Sequence, residues 1–314
     1  MKTRLLIYLA VTAFVLSSCG SKPASKFTDT PTSGTTIISV DETFQPIIDA
    51  EIAVFESIYP QAGILVRYGD EISTFTLLLR DSVRAAIATR PLTARERESF
   101  ESRKLFPKET KIATDGVAII VNRANKDTLF SMQTLRDIFT GKITKWKELN
   151  PASTLGDIKV MFDNPQSSTV RFVIDSVCRG ETLSAALRSQ IRNADVVGYV
   201  AENPHALGIV GVSWVSNRRD TLCMGFLDRV SVAGISRAKI ATRYNSYQPY
   251  QAYIATGQYP LKRDVYVLLT EPRSGLASGF TSFLASDRGQ RIILKSGIMP
   301  ATQPVRLVQL RENL

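Results

Sequence analysis

"KIATDGVAIIVN", residues 111–122, narrows the possible folds most. From Val117 to Val121 it is apolar without a break, so it lacks the in–out alternation of a strand with one wet face. Such a strand is buried on both sides, as in α/β proteins whose helices cover both faces of a sheet. Asp115 and Gly116 put a polar, flexible step into this otherwise buried run. The preceding segments fit the same class. "TTIISV" reads as a strand over Thr36 to Val40, "DET" as a turn, and Phe44, Ile47, Ile48, Ile52 and Phe55 recur at helical spacing. "GILVRYG", "FTLLLRDS" and "RAAIATR" then read as strand, helix, strand. This alternation predicts a parallel α/β sheet.

Helix boundaries are legible further on. Thr93 is placed to cap a helix, with Glu96 completing a capping box, and Ser131 and Gly141 bracket "MQTLRDIFT". "DIKVMFD" is a strand, "SSTVRFVIDSVC" a helix with a hydroxyl-rich start, and "ALGIVGVSWV" a buried strand. "YPLKRDVYVLLT" is another strand, followed by helical "SGFTSFLASDRGQRIILKSG" and a short "IMPA" segment. The whole predicts two α/β lobes, with strands near 111–121 and 260–270 crossing between them. A ligand in such an architecture sits at the carboxyl ends of strands. Helix N-termini gather there, and their free N–H groups and positive dipole ends suit anions without a metal.

The N-terminus reads as a targeting segment. Lys2 and Arg4 precede an apolar run from Leu5 to Val15 that is short for a bilayer span, and "VLSSCG" has the bacterial lipobox pattern. Residues 1–18 are expected to be a signal peptide, Cys19 the lipidated residue, and 19–35 a flexible linker rich in Gly, Ser, Thr and Pro. The anchor would tether the domain to a membrane of the cell envelope, facing the periplasm. The net charge is +10, but the basic residues are scattered, with no Lys/Arg run of the nucleic-acid-binding kind. His205 is the only histidine. That excludes a multi-histidine metal centre, weakens a Ser/His/Asp reading, and leaves His205 a structural or surface role. No cofactor is expected. Cys178 and Cys223 could pair in an exported protein or remain buried free thiols.

Several stretches together resemble the substrate-binding lipoproteins of phosphate-specific ABC transporters, in the type II periplasmic binding-protein superfamily. "DGVAIIVN" followed by "LRDIFTGKITKWKEL" resembles that family's Asp-Gly strand and its following helix and turn. "ALGIVGVSW", "YPLKRDVYVLL", "FTSFLASDRGQRIILKSGIMP" and "ATRPLTARE" resemble further family segments, over residues 36–303 in all. The resemblance implies two lobes joined by two hinge strands and closing on an oxyanion. Lobe 1 would be residues 36–114 plus 265–314, and lobe 2 residues 115–264. It implies no catalysis. A monomer would capture phosphate or a similar oxyanion and present it to a permease. A non-transport module for anion sensing or surface binding is the alternative on the same fold.

Matching the family's binding loops to this sequence gives the candidate ligand contacts. They are Thr43 and Phe44 at the first helix start, Ser73 on the second loop, and Thr89 and Arg90 on the third. Ser167, Ser168 and Thr169 lie at the fourth helix start, with Arg171 two residues on and Asp115 at the cleft. Thr43 could cap its helix, bind the ligand, or do both. Arg90 could hold an anion bidentately or anchor its loop through a carboxylate. Asp115 could shape its loop or accept a proton from the ligand. Where relatives place Asp on the third loop and Arg on the fourth, this chain has Arg90 and Asp163, which suggests an exchanged pair bridging the cleft. Trp146 is expected in the core.

Overall fold

The computed structural model describes residues 29–190, 192–216 and 228–302. The expected signal peptide, Cys19, most of the linker and Cys223 lie outside the described residues. β1 (Gly34–Asp41) passes through a 3-10 turn (Glu42–Phe44) into α1 (Gln45–Ile58), followed by β2 (Ala62–Gly69), α2 (Glu71–Leu79) and β3 (Ala85–Ala88). β1 pairs in parallel with β2 on one side and β3 on the other, as the alternating pattern predicts. Ile47, Ile48 and Phe55 of α1 join Ile38 and Val40 in one core cluster. α3 (Ala94–Glu101) opens with the expected reciprocal capping box between Thr93 and Glu96.

β4 (Lys108–Asn122) comes next, then β5 (Leu129–Ser131), α4 (Met132–Phe139), α5 (Trp146–Leu149), β6 (Lys159–Phe162) and α6 (Ser168–Phe172). A π turn, Val173–Val177, continues α6. β7 (Arg188–Ser189), α7 (Asn193–Glu202), β8 (Ala206–Gly211) and α8 (Ser213–Ser216) follow. The remainder is β9 (Val230–Val232), β10 (Gly234–Ser236), β11 (Ser246–Tyr247), α9 (Gln251–Ala255), β12 (Lys262–Leu269), α10 (Leu276–Ala285), α11 (Asp287–Lys295) and β13 (Met299–Pro300).

The main sheet runs β2-β1-β3-β12-β4-β8-β6-β7, with β13 and β9 also on β4. β4 is its spine. Lys108 to Gly116 pair with β12, and Val117 to Val121 pair with β8. The change of partner falls at the Asp115-Gly116 step. A Cβ on Gly116 would stand 2.9 Å from Val212 and 3.2 Å from Ile254. The glycine therefore makes room for these neighbouring side chains. β5, β10 and β11 form a separate three-stranded sheet.

Two boundaries differ from expectation. α2 begins at Glu71, ahead of "FTLLLRDS", because the Asp70 carboxylate accepts from the Ser73 N–H and starts the helix earlier. The C-terminal helical stretch is two helices. Ser286 is extended between them, and its hydroxyl caps α11 by accepting from the Gly289 N–H. Trp146 is fully buried, and its indole N–H donates to the His205 carbonyl at 3.0 Å. Nδ1 of His205 accepts from the Gly156 N–H at 3.1 Å, so the histidine ties loops together. Cys178 is a buried free thiol. Among the described residues no helix is long and apolar enough to cross a membrane, and no acidic, His or Cys group is arranged to hold a metal ion.

Candidate functional site

Strand ends and helix starts from both lobes meet where β4 changes partner. β1 ends at Asp41, whose Oδ1 accepts from the Thr43 N–H at 3.0 Å and so caps the following turn. Asp41 thus does the capping, and the buried Thr43 hydroxyl has no hydrogen-bond partner. Across the boundary, the Ser167 hydroxyl caps α6 by accepting from the Val170 N–H, and it donates to Asp163 at 2.6 Å. Ser168 Oγ accepts from Arg263 Nη1 at 2.9 Å. Arg263 lies on β12 directly opposite Asp115 on β4, and its Nε donates to the Asp115 carboxylate at 3.1 Å. Its guanidinium also lies 5.5 Å from the centre of the Phe44 ring.

Five buried polar atoms in this cluster have no hydrogen-bond partner: Asp41 Oδ2, Thr43 Oγ1, Asp115 Oδ1, Thr169 Oγ1 and Arg263 Nη2. Buried polar groups are almost always satisfied, and leaving one unpaired costs about 1–3 kcal/mol. A cluster holding both donors and acceptors in this state is shaped for a compact polar ligand. The carboxyls are unusual as well. Burial pushes Asp115 up to about 6 and Asp163 up to about 7, and raises Asp41 against the pull of Arg263. Asn193 steadies the edge, donating to Glu42 at 2.7 Å and Asp163 at 3.0 Å.

A second polar group closes the rim. Arg171 of α6 reaches across to α2, its Nη2 donating to Glu71 Oε1 at 3.1 Å and to Thr89 Oγ1 at 2.8 Å, while its Nε pairs with the other Glu71 oxygen. The Thr89 hydroxyl donates to Glu71 at 2.9 Å. Burial opposes ionisation of Glu71, but the bonds and charge of Arg171 outweigh it and hold the carboxyl below its usual range.

Thr43, Phe44, Asp115, Ser167, Ser168 and Thr169 are thus brought together, with Thr89 and Arg171 at the rim. Ser73 and Arg90 are not. Ser73 lies within α2, with its hydroxyl donating to the Asp70 carbonyl at 2.9 Å. Both terminal nitrogens of Arg90 bind Glu96, at 2.7 and 2.8 Å, and the guanidinium stacks 3.6 Å from the Phe75 ring. The expected Arg90–Asp163 exchange is therefore corrected. Arg90 anchors its loop, Asp163 holds Ser167 and Asn193, and the buried cation is Arg263. Sequence reasoning missed Arg263, Asp41, Glu71 and Asn193. The one available signal for Arg263 was a charged residue at the start of a buried strand.

A family model described as the PBP superfamily domain matches residues 25–288. The chain belongs to the PBP superfamily. Within that superfamily it is similar to the phosphate-binding protein PstS of Bacillus subtilis (strain 168), 25% identical over 317 residues that cover 96% of this chain and 95% of the relative. The phosphate-binding protein PstS of Staphylococcus saprophyticus is 28% identical over 202 residues, covering 63% of this chain and 58% of the relative. Among solved structures, a phosphate ABC transporter substrate-binding protein with bound phosphate from Clostridium perfringens superposes with a TM-score of 0.71 at 20% identity. It covers 86% of this chain and 100% of its own. An ABC-type phosphate transport receptor from Vibrio cholerae gives a TM-score of 0.62 at 21% identity, covering 84% and 99%. These likenesses show the two-lobe α/β binding-protein fold of the PBP superfamily.

Proposed function

We propose that this chain is a solute-binding protein that closes its two lobes on phosphate or a similar protonated oxyanion and delivers it, unchanged, to an ABC permease. The observation that carries the reading is the set of five buried, unpartnered polar atoms. A tetrahedral oxyanion that still bears a proton answers both halves of that set. Its oxygens accept from Arg263, Thr43 and Thr169, and charge-assisted bonds of the Arg263 kind are the stronger ones. Its O–H donates to Asp41 or Asp115. The similar PstS proteins, phosphate-binding by name, point the same way. Lobe 1 comprises residues 36–114 with 265–314, and lobe 2 comprises 115–264. Cys19 carries the lipid, and the residues after it tether the domain to the envelope membrane.

The carboxyls also predict selectivity. Sulfate carries no proton at neutral pH, so it would set a charged oxygen against Asp41 and Asp115 with nothing between them. Thermal-shift titration at neutral pH is expected to show stabilisation that grows with the logarithm of phosphate concentration above the dissociation constant, and none with sulfate at equal concentration. No shift with phosphate, or equal shifts with both anions, rules the reading out.

A further inference from the structure

Away from the ligand site, the chain has a surface built for a different contact. No Asp or Glu lies between Asp228 and Asp264, whereas Arg229, Arg237, Lys239, Arg243 and Lys262 do, besides the buried Arg263. The middle of this segment is the β10–β11 hairpin, and its connecting loop, 237–245, holds three of those cations. None of the three has an acidic partner among the described residues. Ile240, 74% exposed, stands between Lys239 and Arg243, and Tyr244, 95% exposed, follows Arg243. We propose that this loop contacts an anionic membrane surface.

The loop is held in shape. Asn245 Oδ1 accepts from the Thr242 N–H at 2.8 Å and the Ser236 hydroxyl at 2.9 Å, and Asn245 Nδ2 donates to the Ile240 carbonyl at 3.1 Å. The Ser236 hydroxyl also accepts from the Ala238 N–H at 3.1 Å. Ile240 is therefore held out in water by a bonded loop. Two of the cations converge on Gly257. Arg237 donates to the Gly257 carbonyl at 3.3 Å, and Lys262 Nζ lies 3.8 Å from where a Gly257 side chain would begin.

Shape selects the occupant. A specific protein interface takes about 800 Å² of complementary surface from each partner, whereas this loop offers two exposed apolar side chains set among cations. A membrane needs no complementary shape. Lys and Arg meet anionic headgroups electrostatically, an aliphatic residue enters the acyl boundary, and Tyr suits the layer between them. The loop belongs to lobe 2, so it adds a contact separate from the lipid attachment proposed at Cys19, which lies on the N-terminal side of lobe 1.

The test is sedimentation with vesicles, using the chain from residue 19 onward, which contains every described residue, with Cys19→Ser so that no lipid contributes. The parent is expected to bind vesicles containing phosphatidylglycerol, to ignore pure phosphatidylcholine, and to be released by salt. Arg237→Ala/Lys239→Ala/Arg243→Ala is expected to bind about tenfold or more weakly, and Ile240→Ser to weaken binding at unchanged charge. The control, Arg103→Ala/Lys104→Ala/Lys108→Ala, removes equal charge around exposed Phe106 on lobe 1, where Glu101 and Glu109 flank the cations. It is expected to bind like the parent. An unchanged thermal unfolding temperature in the loop variants shows that they fold. Three results overturn the proposal: no binding by the parent, full binding by the loop triple variant, or an equal loss in the control.

Discussion

Two arginines show how far a residue's role depends on what surrounds it. Arg90 follows the buried "AAIA" strand, where the resemblance to the family's third binding loop makes it a ligand candidate. Its bidentate partner, Glu96, is the capping-box residue of α3, only six positions on. The anchoring role was therefore within reach of local reasoning. Arg263 was not. Its place opposite Asp115 depends on the register of β12 against β4, between residues 148 apart in sequence, and no local pattern encodes that pairing. Arg263→Ala removes the buried cation and leaves Asp115 without its partner. Phosphate affinity measured calorimetrically is expected to fall about tenfold to a hundredfold or more. Arg90→Ala is expected to keep affinity within about twofold while lowering the unfolding temperature, since it loses a partly buried ion pair and a ring contact. Equal losses of affinity in the two variants would make Arg90 a ligand contact after all.

Elements were the most legible scale, because capping and periodicity are local. The Thr93–Glu96 box and the Ser131 cap appear where the sequence places them. Less legible was the carboxylate inside α1. Glu51 falls on the same helical face as Ile47, Ile48 and Phe55 and is fully buried, with no hydrogen-bond partner for either oxygen. Burial pushes its carboxyl up to about 9, so the folded protein holds it neutral at pH 7. In the unfolded chain a Glu ionises near pH 4.3 (about the ordinary value). Between those values the folded state binds the extra proton, so stability falls as pH rises through the window. Glu51→Met keeps the volume and removes the titration. It is expected to raise the unfolding temperature by several degrees at pH 8 and by much less at pH 4.5. A gain independent of pH would show that the Glu51 carboxyl does not titrate with folding.

At the scale of the molecule, the two-lobe plan was legible from the unbroken apolar strand and the alternation around it. What joins the lobes across the cleft was not, because it depends on side chains far apart in sequence. Arg171 bridges to Glu71 and Thr89, and Thr43 O accepts from Ser213 at 3.1 Å and Trp214 at 3.0 Å. Glu71→Gln keeps the shape but removes the charge that Arg171 meets. Small-angle scattering of the phosphate-free protein is expected to show a larger radius of gyration for this variant, with phosphate restoring the compact form. An unchanged radius would mean that this pair does not hold the lobes together. The sheet order carries a further consequence, in the time taken to make the chain. β12 sits between β3 and β4 and pairs with both, yet it is synthesised after β5 through β11. Until residue 269 is available, β3 and β4 each present an unpaired edge, and such edges recruit other strands. A chain stopped short of β12 would carry β8 already paired to β4 beside an open sheet, so its first lobe, the earlier one to be made, would be the later one to close.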